Sequence, residues 1–258
     1  MKILVCVKQV PDMESQFRTN SRGDWFDESE LSFRMNEYDE YAVEEAVRVK
    51  EQLGGVPDVT VLSVGPERVL DVLKKALALG CDRSVHILDK SDHTRDPWQI
   101  ASLIAAFAHG KGYDLIFSGM QSQDRGSAQV GITIAELLGI PCTTNVVGFV
   151  YDDGVVTVRR ELESGTRGVV TMKTPALVTC QSGLNVPRYP TLPCIIRAKK
   201  KELITILAQD LPQEPELTGT VAVYPPSGRG KGIVLEGDVA EIADRLVTIL
   251  KERTAAFR

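Results

Sequence analysis

The run Gly119-Met120-Gln121-Ser122-Gln123-Asp124-Arg125-Gly126-Ser127-Ala128-Gln129-Val130-Gly131 has the composition of an anion site. An apolar stretch of strand length precedes it and a helical pattern follows, so the N–H groups of a first helical turn face the loop. Ser127 adds a hydroxyl and Arg125 a cation, while the small Gly126, Ser127 and Ala128 allow close approach of a phosphate to the backbone. Gly228-Arg229-Gly230-Lys231-Gly232 also looks like a phosphate loop, but it follows Pro225-Pro226 rather than a strand and reads as flexible arm. There is no Gly-x-Gly-x-x-Gly after the first strand and no Walker loop. Nor is there a Ser/His/Asp or Cys/His set, or a carboxylate pair placed for acid-base work. The Gly119 to Gly131 loop therefore suits a phosphate, although every doubly wound fold has strand-to-helix loops and many bind nothing, and no residue set reads as a self-sufficient catalyst.

A second cluster lies in Asn185-Val186-Pro187-Arg188-Tyr189-Pro190-Thr191-Leu192-Pro193, followed by cations at Arg197, Lys199, Lys200 and Lys201. Three prolines in seven residues predict a stiff loop, because each lacks an N–H donor and biases the residue before it toward extended geometry. Such a loop displays Tyr189 and Leu192 beside basic charge, a shape that suits docking on another protein at little entropic cost and equally a proline-stapled surface loop with a solvated basic edge. A third cluster, Arg159-Arg160-Glu161, ends a predicted strand, where alternating charges also serve to protect a sheet edge.

The elements that must position these clusters alternate between strand and helix over the first 140 residues. Strands are predicted at Ile3 to Val7, Val59 to Val64, Ser84 to Leu88 and Asp114 to Ser118. Helices are predicted after Asn36, with Glu37, Asp39 and Glu40 in the first turn, after Pro66, after Asp96-Pro97 and after Ser127. Residues Pro11 to Met35 read as a polar loop. This order implies a doubly wound, mostly parallel α/β sheet with ligands bound at the carboxyl ends of its strands. That rule selects four loops: after Val7, at Met35-Asn36, at Ser63-Val64-Gly65, and from Gly119 to Ser127.

Beyond Pro141 the pattern changes. Strands flanking Asp153-Gly154 predict an antiparallel hairpin, with Gly168 to Met172 beside it and a further strand at Ala176 to Cys180. The proline- and glycine-rich tail from Leu211 to Gly232 reads as an extended arm. It leads to an amphipathic helix started by Asp238 and Glu241. The expected organisation is an α/β domain over 1–210, holding the docking segment 183–201, and an arm with helix over 211–258.

Composition bounds the class. With 258 residues, 43% hydrophobic and 25% charged, the chain is an ordinary globular protein long enough for a sizeable core. A net charge of −5 argues against general nucleic-acid binding. No apolar run reaches membrane-spanning length, and the short apolar start reads as a strand, so a cytoplasmic protein that is not membrane-embedded is expected. Five scattered cysteines without a Cys-x-x-Cys pair indicate neither a disulfide framework nor a metal site, and His86, His93 and His109 are expected at surface or strand-end positions.

Together these segments resemble the beta subunit of electron transfer flavoproteins. The resemblance runs through Val5-Cys6-Val7-Lys8, Met35-Asn36, Ala42-Val43-Glu44-Glu45-Ala46, Ser63-Val64-Gly65-Pro66, Ala76 to Arg83, Gly119 to Gly131 and Val158 to Glu161. It continues through Pro175 to Thr179 and culminates in Leu184-Asn185-x-Pro187-Arg188-Tyr189-x-x-Leu192-Pro193 with Ala198-Lys199-Lys200-Lys201. The resemblance implies a heterodimer with an alpha subunit that holds most of the redox FAD, and a structural AMP in this subunit. The matching nucleotide positions are Cys6, Asn36, Glu37, Tyr38, Asp39, Val64, Gly119, Gln121, Gln123, Asp124, Arg125, Gly126, Ser127, Ala128, Gln129 and Val130. It also implies that Arg160 and Glu161 lie near the flavin. Asn185, Pro187, Arg188, Tyr189, Leu192 and Pro193 would dock a flavin-dependent, acyl-CoA-type dehydrogenase, with electrons passing on to an acceptor such as a quinone oxidoreductase.

The resemblance divides at one loop. Some AMP-binding members carry Asp-Asp-Asp-x-Asn-Gln-Thr-Gly where this chain has Asp124-Arg125-Gly126-Ser127-Ala128-Gln129-Val130-Gly131. The Ala-Gln-Val-Gly ending is similar to electron-bifurcating members, whose beta subunit holds a second FAD that reacts with NADH. The longer docking segment resembles the AMP type and decides for AMP. The alternatives are the bifurcating flavoprotein and a stand-alone adenine-nucleotide-binding regulatory module.

Overall fold

In the computed structural model, which describes residues 1–91, 94–224 and 232–254, the first half of the chain alternates as the sequence predicts. It contains β1 (Lys2–Cys6), β2 (Gln9–Pro11), β3 (Phe33–Met35), α1 (Glu37–Gln52), β4 (Asp58–Gly65), α2 (Leu70–Leu79), β5 (Arg83–Leu88), α3 (Pro97–Ala108), β6 (Leu115–Gly119) and α4 (Val130–Leu138). The second half contains β7 (Cys142–Asp152), β8 (Val155–Glu161), β9 (Arg167–Lys173), β10 (Ala176–Cys180), α5 (Leu192–Ala198), β11 (Glu202–Leu207) and α6 (Val239–Arg253). Residues Met1–Val223 form one compact unit and Tyr224–Arg258 a second. Within the second, α6 is started by Asp238, whose side chain accepts from the N–H groups of Ala240 and Glu241.

Nine strands make one sheet in the order β11-β5-β4-β1-β6-β10-β7-β8-β9. Pairing is parallel from β11 through β7 and antiparallel across β7, β8 and β9. The hairpin turn falls at Asp153-Gly154, both at positive φ, as a two-residue turn requires. Side-chain alternation divides the sheet between two cores. Ile3, Val5, Leu115 and Phe117 pack with α1 and α2, and Leu4, Leu62, Ile87 and Ile116 pack with α3 and α4. Central strands buried on both faces read as continuous apolar runs, which is why Ile3 to Val7 and Leu115 to Phe117 were legible. The architecture is the expected Rossmann-like, doubly wound α/β sheet with an added antiparallel hairpin.

Several local expectations are corrected. Pro11 to Met35 is not all loop: β2 and β3 pair as a separate antiparallel ribbon, and an excursion between them includes the bridge Thr19 to Phe26. Ser127 does not cap a helix; the loop runs on through Ala128 at φ +53, and α4 starts at Val130. The proline-rich segment is loop only as far as Thr191. Leu192 and Pro193 open α5, because a proline without an N–H is tolerated in the first turn, where that group has no intrahelical acceptor. His86 is buried in β5 with Nε2 2.8 Å from the Gly65 carbonyl oxygen, so it is neither at the surface nor at a strand end. His93 and most of the Gly228 to Gly232 run lie outside the described residues. Residues 202–207, which carry no sequence expectation, form edge strand β11 beside β5.

The proline-rich segment is fastened to α1. Asn185 Nδ2 donates to the Tyr41 carbonyl at 3.0 Å and to Glu45 Oε2 at 2.8 Å. Arg188 forks between Glu44 (2.8 and 3.0 Å) and Glu51 (2.6 and 2.9 Å). These bonds raise the guanidinium pKa and lower that of Glu51. Glu44 is buried, and the Arg188 guanidinium replaces the hydration its oxygens have lost. Arg188→Ala is expected to lower stability to urea by roughly 2 kcal/mol, less than for a fully buried pair because the guanidinium is partly exposed. A loss below about 0.5 kcal/mol would show that water replaces the pair.

Candidate functional site

Strands β4 and β6 lie on opposite sides of β1, so the winding reverses there and the chain connections diverge above the strand ends. A crevice at such a reversal is where open parallel sheets bind ligands. The cavity found there is lined by Cys6, Val7 and Lys8 at the end of β1, Val64 from β4, and Ser118 and Gly119 from β6. Asn36, Asp39 and the loop from Met120 to Gly131 complete its inner wall. Its empty volume is about 1140 Å³, partly open to solvent.

Two side chains at the start of α1 build this wall. Asn36 occupies the N-cap position but makes no side-chain cap bond. Its Nδ2 instead donates to the Gln121 carbonyl at 2.8 Å and its Oδ1 accepts from Gln123 N–H at 3.0 Å, so the amide acts as a strand-like clip on the loop. Asp39 accepts from Lys8 N–H at 2.6 Å and from Gly119 N–H at 3.0 Å, joining the ends of β1 and β6. Burial raises the Asp39 pKa to about 7, while the N–H donations and the Lys8 charge restrain the rise. Burial, with Asp39 adding to it, pushes the Cys6 thiol up to about 12, so Cys6 is a neutral wall and not a nucleophile.

The loop itself is internally braced. Lys8 Nζ holds Asp124 at 2.6 and 2.8 Å, and Gly126 N–H donates to Ser122 at 2.8 Å. Gly126 and Ala128 are both left-handed; for alanine this costs about 1 kcal/mol and turns the chain sharply into α4. Gly131 faces Ser118 Oγ and Thr179 so closely that a Cβ would sit 2.7 to 2.8 Å from them. The first turn of α4 thus lies against the sheet with its N–H groups toward the cavity, and buried Ser118 Oγ has no hydrogen-bond partner among the described residues.

Of the expected nucleotide positions, Cys6, Asn36, Asp39, Val64, Gly119, Gln121, Asp124, Arg125, Ser127, Ala128, Gln129 and Val130 line this cavity. Glu37 and Gln123 sit behind it, joined by a 2.9 Å hydrogen bond, and Tyr38 packs where a Cβ on Gly119 would lie. Gly126 shapes the loop without lining the cavity. Arg160 and Glu161 are on β8, away from it; Arg160 bonds Thr144 Oγ1 at 2.9 Å and Glu161 is exposed.

Sequence reasoning missed an outer rim. Trp25, Glu28 and Phe33 come from the excursion around the β2–β3 ribbon, Arg68 from the 3-10 turn that precedes α2, and Arg95 and Asp96 from the loop before α3. Arg125 lies 4.9 Å over the Trp25 ring and Arg68 4.3 Å over Phe33. The strand-end rule applied to β5 would have selected Arg95 and Asp96; nothing local marks Trp25. Among the described residues no group of three or more His, Cys, Asp or Glu is placed to hold a metal, and no helix is long and apolar enough to cross a membrane. The arrangement is suited to hold a phosphate and a planar ring.

Because the folded Asp39 pKa lies above its unfolded value near 3.8, the folded state binds the extra proton, and this residue's contribution to stability falls as pH rises from about 4 to 7. Asp39→Asn should therefore gain stability relative to the parent protein over that window, by a few kcal/mol at most, and the difference should level off above pH 7. Urea unfolding at pH 5 and pH 8 measures it; a difference that does not change with pH would show that Asp39 is ionised throughout.

The electron transfer flavoprotein domain model matches residues 25–211. An electron transfer flavoprotein subunit beta from Methylophilus methylotrophus is 33% identical over 261 residues, covering 98% of each chain. One from Bacillus subtilis strain 168 is 38% identical over 223 residues, covering 84% of this chain and 85% of the relative. A mitochondrial one from Oryza sativa subsp. japonica is 34% identical over 249 residues, covering 95% and 97%. With the strand-end cavity, the fastened proline-rich segment and near full-length similarity in agreement, the chain belongs to the electron transfer flavoprotein beta-subunit family.

Proposed function

We propose that this chain is the beta subunit of a heterodimeric electron transfer flavoprotein, binding AMP in the strand-end cavity and docking partner dehydrogenases through residues 183–201. FAD held mainly by an alpha subunit supplies the electron-carrying chemistry when bound. The observation that carries the reading is the cavity itself, with its helix N-terminus, Ser127 hydroxyl, cationic Arg125 and orphaned Ser118 Oγ. These features fit an adenine nucleotide: the first turn of α4 and Ser127 would hold the phosphate, and Asn36, Val64 and the wall at Cys6 would flank the base and sugar.

The chain's other contributions are positioning and docking. Tyr189 is 93% exposed and Leu192 70%, on a segment that Asn185 and Arg188 hold rigid and that Pro187 and Pro193 stiffen. Leu192 would enter an apolar pocket of an acyl-CoA-type dehydrogenase, and the electrons would pass to an acceptor such as a quinone oxidoreductase. Arg160, whose buried Nε has no hydrogen-bond partner among the described residues, and exposed Glu161 would face the flavin. The arm and helix over 211–258 would clasp the alpha subunit, and the complex would work in the cytoplasm.

A second reading, a bifurcating flavoprotein with a second FAD in this cavity, is favoured by the Ala128-Gln129-Val130-Gly131 ending and by the extension of the cavity to Trp25 and Arg68. Co-expression with an alpha subunit, purification, denaturation and chromatography of the released nucleotides separates the two. One FAD and one AMP per heterodimer is the expected result; two FAD and no AMP would establish the second reading, and no nucleotide beyond one FAD would remove both.

Leu192→Ala is expected to slow reduction by the partner dehydrogenase by about tenfold at limiting dehydrogenase, the loss of one buried leucine contact, with FAD and AMP content unchanged. Equal rates would remove the anchor role.

A further inference from the structure

The cavity has a flap, and the flap has a fastening. The flap is the excursion between β2 and β3, which brings Trp25 and Glu28 to the cavity rim on the two-stranded stem. It is folded on itself: Asn20 N–H donates to the Trp25 carbonyl at 2.8 Å, Asp27 N–H to the Arg18 carbonyl at 2.9 Å, and the Phe17 and Phe26 rings meet at 5.0 Å. On its inner side it meets the body of the protein through Arg125 over Trp25 at 4.9 Å and Arg68 with Glu28 at 3.5 Å.

The fastening comes from the far end of the first unit. Residues 211–223 leave β11 and cross the start of α3. There Asp96 Oδ2 accepts from the N–H groups of Leu217 at 2.7 Å and Thr218 at 2.9 Å, while its Oδ1 caps α3 through Gln99 N–H at 2.8 Å. Arg95 bonds the Gln213 side chain at 3.1 Å and Gln99 the Glu214 carbonyl at 3.0 Å. Burial opposes ionisation of Asp96, but the backbone donors outweigh it and hold its carboxyl below the usual range. The segment then reaches the outer end of the flap, where Val223 N–H donates to the Gly23 carbonyl at 2.8 Å. The Arg125 guanidinium Nη1 donates to the Arg95 carbonyl at 3.3 Å, so the contacts close on themselves from Asp96 to the strap, flap, Trp25, Arg125 and back to Arg95.

We infer that residues 211–223 are a strap that pins the flap over the cavity, so that exchange of the bound nucleotide requires the strap to release either Gly23 or Asp96. Residues 211–223 line no part of the cavity; of their two attachments Asp96 lies on the cavity rim and Gly23 does not, so release at Gly23 separates retention from contact with the ligand. The inference rests on the nucleotide reading above for its ligand, but the pinning of the flap stands on this chain's own contacts.

Two variants break the strap at opposite ends: Val223→Pro removes the N–H given to Gly23, and Asp96→Asn leaves an oxygen for the α3 cap but turns an amide donor toward Leu217 and Thr218. In the full-length heterodimer, release of bound AMP into buffer is followed by rapid filtration and chromatography, and amide hydrogen exchange is read at Asn20 and Asp27. The expected result in each variant is release faster by roughly five- to tenfold, the equivalent of one hydrogen bond, with faster exchange of both flap amides. Unchanged release, or faster release with unchanged flap exchange, overturns the strap. If the parent heterodimer carries no AMP, the nucleotide reading fails instead, and flap exchange alone decides whether the strap pins it.

Discussion

The candidate site depends on where two backbone N–H groups go. At the reversal point of the sheet, the chain leaves β1 at Lys8 and β6 at Gly119, and both N–H groups need acceptors that neighbouring strands do not supply. Asp39 supplies them from the first turn of α1. A buried carboxylate is costly unless satisfied, and here the two strand ends satisfy it while it satisfies them. This reciprocity fixes the cavity floor before any ligand enters. It also explains why Gly119 cannot carry a side chain, since Asp39 and Tyr38 occupy that space.

From that floor the site is assembled by segments far apart in sequence. Asn36 gives up its capping role to clip the loop at Gln121 and Gln123, and Lys8 ties Asp124 down beside it. Left without a side-chain cap, the start of α1 is compensated by acids in its first turn. The outer rim is assembled differently, from aromatic and guanidinium groups stacked on one another, and it holds together through flap and strap instead of through the sheet.

Periodicity was enough to read the doubly wound sheet, the hairpin at Asp153-Gly154 and the inner wall, because these follow from local pattern and from the rule that ligands sit at strand ends. What stayed hidden was decided by tertiary contacts. Asn36 and Ser127 are both good caps by type, yet one is recruited by a distant loop and the other is displaced by a left-handed turn. Pro193 was read as excluding a helix, although the same missing N–H suits a first turn. Trp25, Arg68 and Arg95 converge on the rim from three separate segments, and no spacing in the sequence records that meeting.

Helix α1 carries the cavity at one end and the proline-rich segment along its length. Asp39 and Glu51 are twelve residues apart, about 18 Å along the axis, and Glu44 lies between them. The helix is thus a ruler with angular graduations. One residue added between Asp39 and Glu44 would lengthen it by only about 1.5 Å, but would rotate the acidic grip on Arg188 by about 100° away from its guanidinium. An insertion would therefore be tolerated in the loops that flank α1 and not within it, and the distance and bearing from the strand-end cavity to the proline-rich segment are set by a count of residues.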